Sequence, residues 1–255
     1  MRRIGAIAAF ALLVVAGCGT VPRAEAKAAD SGPEVVTRVV QFARGPGRPL
    51  PTTLWYASGM TAGRHPIVLF SHGLNGLPEQ FAPLATVWAR AGYVVAAPTY
   101  PRTNANVKVD AGDIRRQPAD AAYVLKQLLA GDLAPHLDGD RIAAVGFSAG
   151  GTTTLGLFRK GHSASLRAAV AISGRRPSSD FAGPAAPILF LHGDEDDVVP
   201  IEAGRAAFHA VPWPKQFVTI RGAGHGQFLN PGNPAYASTS ARILRFLEEH
   251  VPAYR

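Results

Sequence analysis

Gly146-Phe147-Ser148-Ala149-Gly150-Gly151 sets a serine at the centre of a Gly-x-Ser-x-Gly pattern, with a third glycine directly behind it. The six residues before Ser148, Ile-Ala-Ala-Val-Gly-Phe, form a short apolar run that reads as a buried strand, and residues 149–158 read as a helix. A serine at a sharp strand-to-helix turn presents its hydroxyl beyond the sheet, at the positive end of the next helix. The glycines fit that geometry: Gly146 and Gly150 leave room for a tight turn, and Gly151 allows close helix approach. A helix N-cap would account for the serine alone, not for three flanking glycines.

Outward from this stretch the chain alternates. Apolar or β-branched runs at 35–42, 67–71, 93–97, 142–147, 168–173, 188–192 and 217–220 are expected to be strands, and 80–91, 118–130, 149–158, 202–208 and 238–250 to be helices. Ile67-Val68-Leu69-Phe70 and Ile188-Leu189-Phe190-Leu191 are apolar on both parities, the mark of parallel strands covered on both faces. The pattern predicts one α/β domain over residues 34–255, built on a mostly parallel sheet, with ligands beyond the carboxyl ends of the strands.

Residues that follow the other strands carry the chemistry a serine nucleophile needs. A hydroxyl attacks only when a base takes its proton, and in this topology an acid and then a histidine come after the serine. After the run at 188–192 comes Gly193-Asp194-Glu195-Asp196-Asp197-Val198-Val199-Pro200; after 217–220 comes Arg221-Gly222-Ala223-Gly224-His225-Gly226. His209 and His250 fall in expected helices, so His225, in a glycine-rich loop, is the candidate base.

Here the residues resemble a known superfamily. His-Gly-x-x-Asp-x-Val-Val-Pro is similar to the acid loop of α/β-hydrolases, which implies Asp196 as the acid and leaves Asp194 as the alternative. Ser71-His72-Gly73-Leu74 resembles the turn that gives one backbone N–H to an oxyanion hole, implying Leu74 as that donor and Ala149 as the second. His72 is expected to brace the turn. The stretches around residues 66–73, 91–98 and 116–120 resemble bacterial relatives of platelet-activating-factor acetylhydrolase and dienelactone hydrolase. Dienelactone hydrolase proper uses a cysteine nucleophile, so its lactone substrate does not carry over to Ser148. Polyester-degrading esterases are similar too, but their usual disulfide cannot form where Cys18 is the only cysteine.

The N-terminus has a separate character. Met1-Arg2-Arg3 is basic, residues 4–16 are apolar, and Val15-Ala16-Gly17-Cys18 resembles a bacterial lipoprotein cleavage box. The apolar run falls short of the roughly 18 to 20 residues of a membrane span, so residues 1–17 read as a leader, Cys18 as a lipidation site and 18–33 as a tether. Loss of Arg2 and Arg3 with the leader lowers the net charge from +8 to +6. That balance reads first as charge for solubility and also suits an anionic membrane or envelope surface, whereas the scattered basic residues, with no aromatic-interleaved stripe, do not suggest nucleic acid.

The resemblance implies a serine carboxylic ester hydrolase with Ser148, His225 and Asp196 as triad, and the leader implies that it is exported, a monomer lipid-anchored to the outer face of a bacterial cell membrane or secreted. No metal or other cofactor is expected: the acidic loop lacks the spacing of a calcium loop. The connection at 174–187 is too short for a helical cap, which implies an open cleft for short acyl chains or surface-accessible esters, with Phe81, Tyr100 and Phe228 as candidate lining. Two rivals remain at this level, an envelope acyltransferase using the same acyl-enzyme and a non-enzymatic binding lipoprotein.

Overall fold

In a computed structural model of the chain, residues 32–60 and 63–253 are described. The expected leader, Cys18 and all but the last residues of the tether lie outside them, and the fold is that of the unit Pro33–Arg255. Its frame is one eight-stranded sheet: β1 Val35–Ala43, β2 Pro49–Ala57, β3 His65–Ser71, β4 Val94–Pro98, β5 Leu137–Phe147, β6 Leu166–Ile172, β7 Ile188–Gly193 and β8 Lys215–Ile220. The spatial order is β1-β2-β4-β3-β5-β6-β7-β8. Strands β3 to β8 run parallel, and β2 pairs antiparallel with both β1 and β4.

The helices are α1 Ala82–Arg90, α2 Gln117–Leu128, α3 Ala149–Gly156, α4 Ile201–Ala210 and α5 Tyr236–His250. One face of the sheet, with Leu69, Ala96, Ala144, Ala171 and Phe190, packs against α2, the end of α3 and α4. The other, with Val68, Val95, Val145, Val170 and Leu189, packs against Trp88 of α1 and Ile243 and Leu247 of α5. Period-two alternation thus divides each central strand between two cores, and both faces are covered. This is the α/β-hydrolase fold. Residues 173–187, where a cap could stand, carry no helix.

Strand β2 is the element that sequence periodicity does not signal. Pro49 and Pro51 interrupt it, and Thr52 and Thr53 stand where apolar residues would announce a strand, yet both threonines are buried. Gly45 and Gly47, at φ 81° and 72°, turn β1 into β2. Arg48 in that turn forms a two-pronged pair with Asp113, both contacts within 3.0 Å, and also pairs with Asp120. Arg44 reaches Asp120 at 2.7 Å. Asp113 and Asp120 are buried, so the tie fixes the hairpin to α2, and the hydrogen bonds that Arg48 donates to the Asp120 and Asp113 carboxylates hold its guanidinium above its ordinary pKa.

Because β4 lies on one side of β3 and β5 on the other, the chain leaves β3 and β5 in opposite directions. The crevice this opens, beyond their carboxyl ends, is where the candidate residues converge.

Candidate active site

Ser148 sits between β5 and α3 at φ 56° and ψ −119°, a backbone conformation that L-residues rarely adopt. Its amide donates to the Ile172 carbonyl at 2.8 Å. The flanking glycines are obligatory for a steric reason. A Cβ at Gly150 would collide with the Ser71 carbonyl, and one at Gly146 with the Gly150 carbonyl. A Cβ at Gly151 would stand 2.9 Å from the Ile172 oxygen. The turn is therefore wedged against the backbone of its two neighbouring strands.

Three side chains from three loops meet here. Ser148 Oγ lies 2.9 Å from His225 Nε2, and His225 Nδ1 lies 2.8 Å from Asp196 Oδ2. An ionised carboxylate only accepts, so Nδ1 carries the proton and Nε2 is left to accept from the serine hydroxyl. His225 retains 15% side-chain exposure, whereas Asp196 has none. Burial alone would raise the Asp196 carboxyl, but hydrogen bonds from His225 and from the Val199 and Val198 amides outweigh it and hold the group below the usual carboxylate range. Those amides bind Oδ1 at 2.7 and 3.0 Å, while Oδ2 faces the His225 imidazole and also lies 3.4 Å from His192 Nε2.

Asp194 has a different place. Exposed to solvent, it accepts the Gly222 amide at 2.7 Å, while the Glu195 amide donates to the Ala223 carbonyl at 3.0 Å. These bonds lace the acid loop to the loop that carries His225. Between the two acids left open by the residues, Asp196 is the one in contact with the imidazole.

The turn after β3 closes the other side. A Cβ at Gly73 would lie 3.4 Å from Ser148 Cβ, so the Gly73-Leu74 backbone passes over the serine. Among the described residues the Leu74 and Ala149 amides have no acceptor, as a pair of oxyanion donors requires. His72 is buried, its Nδ1 on the Gly73 carbonyl at 2.8 Å and its Nε2 accepting the Tyr100 amide at 3.2 Å. Those partners demand a neutral ring, and burial lowers its pKa accordingly. It braces the turn, as expected.

Three residues that the sequence pattern does not single out adjoin the site. Phe147 packs on the His225 ring. His192, buried, donates from Nε2 to the Val199 carbonyl at 2.7 Å and so steadies the acid loop. Gln117 accepts from Thr153 of α3, donates to Thr103 Oγ1 at 2.6 Å, and the Thr103 carbonyl in turn receives the Asn75 amide at 2.7 Å. That chain connects the helix behind Ala149 to the turn behind Leu74.

The expected cleft lining is corrected in two of three positions. Tyr100 and Phe228 are fully buried. Tyr100 is drawn inward by the bond between its hydroxyl and Ser71 Oγ at 2.7 Å and by its ring contact with His72, and Phe228 belongs to the core beneath α5. Phe81 is half-buried and meets Phe147 with centroids 5.8 Å apart, so it borders the site through that ring.

The model of the dienelactone hydrolase family matches residues 55–249, a span that holds all three of these side chains. Among solved structures, an acylaminoacyl peptidase in complex with Z-Gly-Gly-Phe-chloromethyl ketone superposes with a TM-score of 0.71 at 18% identity, over 87% of this chain and 42% of the other. The acylaminoacyl peptidase of Pyrococcus horikoshii gives 0.71 at 16% identity, over 87% and 43%. The chain spans less than half the length of these proteins, and the likeness is one of fold. No curated protein sequence matches it.

Proposed function

The chain belongs to the dienelactone hydrolase family, and from that premise we propose that it is a serine hydrolase of carboxylic esters, working through Ser148, His225 and Asp196. The observation that carries the reading is the continuous hydrogen-bond line from the Asp196 carboxylate through both nitrogens of His225 to Ser148 Oγ. In the proposed reaction His225 takes the serine proton as Oγ attacks the ester carbonyl. The resulting oxyanion is received by the Leu74 and Ala149 amides, a contribution of about 3 to 4 kcal/mol per donor in related sites. Collapse expels the alcohol, protonated by His225, and water activated by the same imidazole releases the acid. Asp196 keeps the tautomer and stabilises the imidazolium.

The reading extends to short or surface-accessible esters. Support comes from the missing cap and from exposed Leu74, Val107 and Val198, which rim the loops after β3, β4 and β7. Export and a lipid anchor at Cys18 are part of the proposal and rest on the leader-like order of residues 1–18.

The test is labelling by a fluorophosphonate together with hydrolysis of p-nitrophenyl esters from acetate to palmitate. We expect Ser148 alone to be labelled, acetate and butyrate to turn over fastest, and Ser148→Ala to abolish both signals. Undiminished hydrolysis by that variant would sink the assignment.

A further inference from the structure

A cleft of about 780 Å³ lies away from the triad. It opens at the other end of the sheet, where Gly139 lies near the start of β5, Ile142 begins its buried run and Leu166 begins β6. Ile142 precedes Phe147 by five residues, about 16 Å of strand, so nothing bound in the cleft touches Ser148.

Its floor and its rim differ in chemistry. Leu125, Leu129, Ile142, Leu157 and Leu166 line the depth, four of them only 3 to 7% exposed. Lys126, Arg159 and Lys160 stand exposed at the mouth, and none has an acidic partner among the described residues. The single acid there, Asp180, is paired with Arg176 at 2.9 Å.

One wall is built rather than loose. The His162 ring is boxed in by three carbonyls, those of Arg159 and Ala182 at 2.9 and 3.0 Å from Nδ1 and that of Pro184 at 3.1 Å from Nε2, and whichever nitrogen carries the proton finds an acceptor. A bridge between Arg159 and Phe181 continues the same seam.

We propose that this cleft binds a long-chain carboxylate, with the alkyl chain on the leucine floor and the carboxylate among Lys126, Arg159 and Lys160. Apolar depth with a few convergent polar groups at the mouth is the usual form of a ligand site, and the volume lies in the range that encloses a small ligand. The guanidinium of Arg159 matches a carboxylate with two parallel N–H groups, while the two ammonium groups add charge. The floor is recessed, so the ligand is a free chain that enters the cleft rather than a lipid held in a bilayer surface.

The experiment is calorimetric titration of the full chain carrying Ser148→Ala, which removes turnover and makes the result independent of the hydrolase reading. Decanoate is expected to bind saturably, octanoate more than tenfold more weakly at about fourfold per methylene, and 1-decanol at least tenfold more weakly than decanoate. Lys126→Glu with Arg159→Glu is expected to cost at least tenfold, and Ala122→Trp, which fills the mouth from an exposed helix position, to abolish binding. No saturable binding of decanoate to the folded chain overturns the proposal. So does equal binding of decanol, or binding unaffected by Ala122→Trp. Retention on phosphatidylglycerol vesicles, lost in the charge-reversed variant and unaccompanied by decanoate binding, overturns it in favour of a membrane-facing surface.

Discussion

The phenyl ring of Phe147 lies against the imidazole of His225, centroids 4.8 Å apart and planes tilted by 40°. The residue that precedes the serine in sequence thereby supports the imidazole that faces the serine in space, and a Cβ at Gly226 would collide with the same ring. Phe147→Ala is expected to lower kcat about tenfold with little change in KM, by freeing the imidazole, and Phe147→Tyr to restore most of it. Steady-state kinetics decide this: a change confined to KM would make Phe147 a wall of the cleft instead.

Two of the four acids at 194–197, Asp194 and Asp196, are expected to separate by function. Asp196→Asn is expected to lower kcat by about 10⁴ at neutral pH, because the amide favours the wrong imidazole tautomer. Asp194→Asn, which alters only the loop contact to Gly222, is expected to stay within tenfold of the parent. Reversal of that order in an ester assay would move the acid to Asp194.

Gly150→Ala drives a methyl group into the Ser71 and His72 carbonyls. We expect a loss of about 3 kcal/mol or more in urea unfolding, together with loss of activity, because backbone cannot give way as a side chain can. Gly232→Ala, with open space around it, serves as the control and is expected to change stability by less than about 0.5 kcal/mol.

Gln117→Leu breaks the chain that joins α3 to the turn after β3. It leaves the buried Thr103 hydroxyl without its amide partner, costing about 1 to 3 kcal/mol of stability, while the Thr153 hydroxyl keeps the Ala149 carbonyl at 3.0 Å. If the chain aligns the two oxyanion donors, kcat falls while KM holds, and Gln117→Glu recovers part of kcat. A loss of stability with kcat intact would reduce Gln117 to a packing role.

His72 and His192 predict how stability depends on pH. Burial lowers both pKa values in the folded state, so the unfolded chain, near 6.5, takes up protons first. Stability is complete above about pH 6.5 and is lost as pH falls toward the folded-state values, by up to about 1.4 kcal/mol per pH unit for each ring. Urea unfolding between pH 7.5 and 5.5 measures the slope. His72→Gln, which keeps one donor and one acceptor without titrating, is expected to flatten it.

Much of this architecture is legible in the residues, for identifiable reasons. Strands β3 and β7 announce themselves because burial on both faces leaves no polar position to confuse the period. The meeting of Ser148 with His225 is legible because strand ends are short and chain order limits the choice. Strand β2 is hidden because its pairing with β1 and β4 tolerates prolines and buried threonines, which local pattern treats as loop. Tyr100 lies next to the motif loops, but burial is decided by partners 28 and 29 positions away, His72 and Ser71, and no local pattern reports such a contact. Gln117 and the leucine-floored cleft are invisible for the same reason.

The wedge around residue 148 is made of main-chain atoms from Ser71, Ile172 and three glycines, and none of it depends on the side chain that the turn displays. The position is in effect a socket, and its side chain an interchangeable fitting. A thiol placed there would be delivered to the same point before the same imidazole. Exchange of oxygen for sulfur within such a family needs one codon and no remodelling of the scaffold.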